Sequence, residues 1–106
     1  MNATSDLSIE FLCAFECGPM VAYLLTGCER PKLRKQYRAW LIARTEAACN
    51  HLEAIPEDLR ESKPLERLST LVYHVTAADV DRAREREHLQ SAFLLFEEIL
   101  AERGGR

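Results

Sequence analysis

Four prolines fix how this chain can be divided into elements. Pro19, Pro31, Pro56 and Pro64 each stand where a helix could begin. Proline suits the first helical turn, where its missing N–H would have had no partner, but it breaks a hydrogen bond in a helix interior. The punctuation therefore predicts helices at about 6–16, 19–26, 31–54, 56–61, 64–75 and 77–103. No segment sustains the two-residue alternation of β-branched side chains that marks a strand, so no sheet is expected.

Local signals fit this division. Gly27, after Leu24-Leu25-Thr26, reads as a C-cap. Thr76-Ala-Ala-Asp79 resembles a capping box with Asp in place of the usual Glu. Ser62 is placed to cap the helix near Pro64, and Gly104-Gly105 closes the last one.

The two long segments carry helical apolar faces. Between Pro31 and Ile55, the residues Leu33, Tyr37, Trp40, Leu41, Ala47, Ala48, Leu52 and Ile55 fall in one arc. Lys32, Lys35 and Arg38 lie on the far side, Ile42 lies outside the arc and Arg44 sits in its middle. An arginine there either snorkels to water or pairs with a carboxylate, for which Glu97 or Glu98 is the expected partner. In the last segment Leu89, Ala92, Phe93, Leu95, Phe96, Ile99 and Leu100 share a face. Traced backwards, that face becomes Asp81, Glu85 and His88.

A helix of about 27 residues spans about 40 Å. A compact domain of this size has a radius of gyration of about 13 Å. The expectation is one all-α domain over residues 1–106, an elongated helical bundle of about five to six helices. Two of them are long, at about 31–54 and 77–103, and pack as an antiparallel pair with the rest across them. Homodimerisation would cover the surface left over.

Charge narrows the function. The chain is 47% hydrophobic and 29% charged, a globular balance, with a net charge of −3. Residues 1–54 hold six basic and six acidic side chains, so neither half has the positive excess that binds nucleic acid by charge alone. Arginine outnumbers lysine eleven to three, a composition expected of a GC-rich bacterial or phage gene. The start, Met-Asn-Ala-Thr-Ser-Asp, lacks the basic residues of a secretory signal, so a cytoplasmic location and reduced cysteines are expected.

The stretch Cys17 to Cys28, CGPMVAYLLTGC, has no charged side chain. It is too short for a bilayer, which needs about 20 apolar residues, so no membrane role is expected. A helix apolar on nearly every side needs cover on every side. That makes Met20, Val21, Tyr23, Leu24 and Leu25 the candidate partner-binding residues.

Other constellations carry less. Cys13 and Cys17 are four apart and share a helix face, but with Cys28 and Cys49 they match no strong zinc spacing. Glu85-Arg-Glu-His88 contains one Glu-x-x-His, with Asp81 a turn earlier. A di-iron bundle needs two such motifs and two further glutamates. No phosphate loop, G-x-S-x-G elbow or H-E-x-x-H occurs, so an enzyme and a cofactor are not expected. Arg30, Lys32, Arg34, Lys35 and Arg38 form the most basic stretch, at a helix start where positive charge opposes the helix dipole. It would suit phosphates or an acidic partner.

The leading expectation is a small cytoplasmic protein–protein interaction module, an adaptor, chaperone-like binder or inhibitor, that docks through a helix face. The first alternative is a nucleic-acid-binding transcriptional or copy-number regulator using residues 30–38. The second is a metal- or thiol-dependent bundle using Glu85 and His88 or the cysteines.

Overall fold

The structure, a computed structural model, describes residues 6–104, with side chains described for 9–102. Four α-helices follow one another: α1 (Asp6–Thr26), α2 (Pro31–Glu53), α3 (Ser62–Val80) and α4 (Glu85–Gly104). Single 3₁₀ turns at Glu57–Leu59 and Arg82–Arg84 precede α3 and α4. α1 packs beside α2 and α4, and α3 also packs beside α2 and α4, so α1 lies across from α3 and α2 across from α4, and the expected antiparallel pairing of the third segment with the last helix does not occur. Short connections make consecutive helices antiparallel, which gives an up-and-down bundle with extents of 44 × 28 × 18 Å. The all-α class holds, and the described residues contain no strand.

The number and lengths of the helices differ from expectation, for reasons that are local. Pro19 lies inside α1 and does not divide it. Cys13, Ala14, Cys17, Val21 and Leu24 bury one continuous face on both sides of it. Buried Gly18 keeps the backbone close to α4, where an added Cβ would reach ordinary contact with Phe96 and Leu100 at 4.0 Å. Pro19 and Phe15 point outward, so water can take the Phe15 carbonyl that proline leaves without a donor. Once joined, Ile9–Thr26 is long and apolar enough to cross a membrane, with a mean hydropathy of 1.4. In the bundle it is instead the helix whose inner face meets α2 and α4.

The expected break at Thr76 falls five residues later. α3 runs on to Val80 and ends at Asp81, whose φ of −111° and ψ of 83° leave the helical region. Asp79 does not cap a helix; Arg38 takes its side chain. The 27-residue helix is therefore replaced by α4, of 20 residues. Ser62 is the first residue of α3 and Glu61 its N-cap. Gly27 follows α1 without a positive φ, and both Gly27 and Cys28 donate to the Tyr23 carbonyl, at 2.8 and 2.9 Å. A Cβ at Gly27 would meet the Tyr23 ring at 3.0 Å, a tight contact that the exposed ring would have to relieve by a small shift. The expected Gly104-Gly105 stop lies partly outside the described residues, and α4 extends to Gly104.

α2 is turned relative to its sequence pattern. Its buried residues are Arg38, Leu41, Thr45, Ala48, Cys49 and Leu52. That line lies roughly 75° around the helix from the centre of the apolar arc. The rotation drives Arg38 into the core and brings Trp40 to the surface, 41% exposed.

Candidate functional site

Two buried arginines tie the helices together. Arg67 on α3 donates to both oxygens of Glu10 on α1, at 2.5 and 2.8 Å. It also reaches Glu98 at 3.2 Å and Glu102 at 2.8 and 3.0 Å on α4. Glu10 is 1% exposed and Arg67 7%. The Arg67 hydrogen bond, with help from Lys63, lowers the Glu102 carboxyl to about 2. Hydrogen bonds to Glu102 and then Glu10 raise Arg67 against the cost of its burial.

Arg38, 1% exposed, lies toward the other end of α3. It donates to Asp79 and Glu85, both at 2.9 Å. Arg34 shares Glu85 at 2.8 Å and donates to the carbonyls of Leu24 at 2.7 Å and Cys28 at 2.6 Å. Its charge therefore closes the C-terminal end of α1, where cations are favoured. The basic cluster opposes the dipole of α2 but serves that of α1, a role that sequence spacing does not reveal. Arg34 and Arg38 thus point inward, while Arg30, Lys32 and Lys35 remain exposed. Glu85 faces the arginines, away from any Glu-x-x-His site. The described residues contain no group of three or more His, Cys, Asp or Glu that could hold a metal, and Asp81, Glu85 and His88 do not converge.

Arg44 pairs with Glu16 of α1. The expected partners, Glu97 and Glu98, lie on α4, and Glu98 is bonded to Arg67. Beside that pair the Cys13 and Cys17 sulfurs lie 4.0 Å apart and fully buried. The Cys17 thiol holds Cys13 below the ordinary thiol range; the same contact, together with burial, raises Cys17. All four cysteines are free and buried. Thr76 Oγ1 is buried and has no hydrogen-bond partner among the described residues. Thr76 lines an open groove of about 430 Å³ together with Glu46, Val72, Tyr73, Ala77 and Val80.

The candidate partner residues of the uncharged stretch divide. Val21 and Leu24 are buried in the chain's own core, and Met20 and Leu25 pack against it half-buried. Only Tyr23, 44% exposed, is open to solvent, and its ring is tilted by 57° against Tyr37 of α2 with centroids at 5.9 Å. It belongs to a larger surface. Leu12, Phe15, Pro19 and Tyr23 follow at spacings of three and four along the outer side of α1, all exposed. Phe15 stacks on Phe11 at 6.2 Å.

Trp40 extends this surface onto α2. It lies one turn from Tyr37 and one turn from Arg44, which meet Tyr23 and Glu16 of α1. The antiparallel register pairing Glu16 with Arg44 and Tyr23 with Tyr37 sets Trp40 level with Met20, next to Pro19. Tyr23 stands at this seam, which the Glu16–Arg44 ion pair crosses, with Trp40 beside it on α2 and Phe15 further round the outer side of α1. Sequence reasoning placed Trp40 in the core and overlooked Leu12 and Phe15. The signal for them was present, because α1 carries more apolar residues than one buried face can hold.

The chain matches no family model, no curated protein and no solved structure.

Proposed function

We propose that the chain is a small cytoplasmic interaction module that docks through the outer side of the α1–α2 seam, and that its first partner is a second copy of itself. One observation carries this reading. Leu12, Phe15, Tyr23 and Trp40, between 41% and 63% exposed, line a face whose charged pair, Glu16 and Arg44, is already neutralised within the chain.

Contiguous exposed aromatic surface marks interaction sites, and Trp and Tyr are the residues that most often anchor them. A strongly charged partner would find no opposite charge here. A second copy would, by contrast, meet neutral apolar surface with neutral apolar surface, and a two-fold axis would oppose no like charges. The nucleic-acid reading has less support, since two of its five cations, Arg34 and Arg38, are bound to carboxylates inside the bundle.

Sedimentation across a concentration series tests the reading. The wild-type chain is expected to move from monomer to dimer as concentration rises. The F15E–W40E variant is expected to stay monomeric with unchanged helical circular dichroism. A wild-type chain that remains monomeric at high micromolar concentration, or a variant that still dimerises, overturns it.

A further inference from the structure

His74 of α3 and His88 of α4 face each other through the same ring atom, with Nδ1 and Nδ1 3.2 Å apart. The rings are tilted by 40° with centroids at 5.4 Å, so they meet at their nitrogens without stacking. The Tyr73 ring stands edge-on to both, at 5.0 and 5.8 Å, and closes one side. Both imidazoles are half-buried. Each directs Nδ1 at the other ring, and among the described residues neither has a carboxylate or carbonyl partner.

We propose that His74 and His88 form an interhelical chelating pair for one divalent transition-metal ion of borderline softness, zinc being the first candidate. The bite is the deciding quantity. Two imidazole nitrogens bound at about 2.0–2.1 Å to one tetrahedral ion lie about 3.3–3.4 Å apart. The pair already stands within a few tenths of an ångström of that separation. Imidazole is the commonest ligand for zinc, copper and nickel, and it binds in the neutral form. Burial, followed by the neighbouring His88, holds His74 below the ordinary imidazole range, which keeps it neutral near pH 7.

In the metal-free pair one Nδ1–H donates to the other Nδ1. On binding, that proton is carried by solvent to Nε2 of the same ring, so both Nδ1 lone pairs face the ion and no net proton is lost. Water fills the remaining positions on the open side. The ion would join α3 to α4 across the Arg82–Arg84 turn, and the site is independent of the α1–α2 surface.

Titration of the folded, reduced protein with cobalt(II), and separately with zinc(II), tests the assignment. One equivalent is expected to bind at micromolar ion. Cobalt should give visible d–d absorption without a near-ultraviolet thiolate band. Nitrogen-15 spectra of the zinc-bound wild type should shift the Nδ1 signals of His74 and His88 and leave His51 in place. H74Q and H88Q should each weaken binding by about tenfold or more, and H51Q should not change it.

No stoichiometric binding, a thiolate band, unmoved Nδ1 signals, or binding retained in the H74Q–H88Q double variant would each overturn the proposal. The nitrogen-15 measurement needs no variant, so it decides the matter even if a glutamine variant fails to fold.

Discussion

At one end of the bundle a single arginine, Arg67, faces three carboxylates, Glu10, Glu98 and Glu102. At the other, two arginines, Arg34 and Arg38, share two, Asp79 and Glu85. Both arrangements join three helices through charge in place of apolar packing, and they differ in redundancy. Glu10 is fully buried and both its oxygens are held by Arg67. Glu85 keeps Arg34 if Arg38 is lost, and the Asp79 side chain is 33% exposed and can turn to water. The Arg67 end is thus all-or-none, while the Arg38 end has a reserve. A buried charge left without its partner is the expensive case, and the net worth of the intact pair is much smaller.

The largest effect should follow removal of Arg67. R67A is expected to lower the unfolding free energy by about 3–5 kcal/mol, because it strands Glu10. Urea denaturation at fixed protein concentration measures it. Replacing both groups, E10L with R67M, should bring stability back toward wild type, since no charge then remains buried. A double variant as unstable as R67A would show that the cluster does more than satisfy its own charges.

R38A comes second, at about 1–3 kcal/mol, because Arg34 still holds Glu85. Combining it with R34A should cost more than the two single changes together, since each arginine covers for the other at Glu85. Simple additivity would remove the idea of a reserve and make the two ends equivalent.

This contrast also marks what the chain's own letters disclose. The apolar face of α4, the helical class and the lack of strands follow from periodicity, which reports local geometry. The turn of α4 from apolar at Leu89 to charged at Glu85 is visible in sequence as well. Its meaning is not, because the answering charge, Arg38, lies 47 residues away on a face that periodicity assigned to solvent. Arg38 and Glu10 are charged residues buried against partners on other helices, Asp79 and Glu85 for the first and Arg67 for the second, and such pairing can turn a helix away from its apolar arc.

The same rotation exposes Trp40 and turns two of the five cations of the basic stretch inward, so surface and core were misassigned together. Pro19 failed as a boundary for a related reason. Packing on both sides of it outweighs the lost hydrogen bond, and packing is not written in any single residue. His74 and His88 could be named from sequence, but their approach depends on where α3 stops, and Asp81 sets that stop through its backbone.

The smallest effect separates the ends by pH. At neutral pH, E102Q should change little, because Glu102 is partly exposed and screened by water. Its carboxyl, ordinarily near 4.5, is lowered to about 2 by Arg67. A carboxyl lowered on folding stabilises the native state fully above its unfolded value, and that contribution is lost as pH falls toward the folded one. The Arg67 end should therefore weaken between about pH 4.5 and 2. His74 is also lowered on folding, by burial and His88, from an ordinary value of 6.5. Its neutral form is favoured in the folded chain, so stability should begin to decline earlier, as pH drops below about 6.5. The wild-type curve of stability against pH then falls in two stages. E102Q should flatten only the lower stage, and H74Q only the upper. If E102Q leaves the acid limb parallel to wild type down to pH 2, Arg67 does not hold Glu102, and the excess of carboxylate at that end has no energetic consequence.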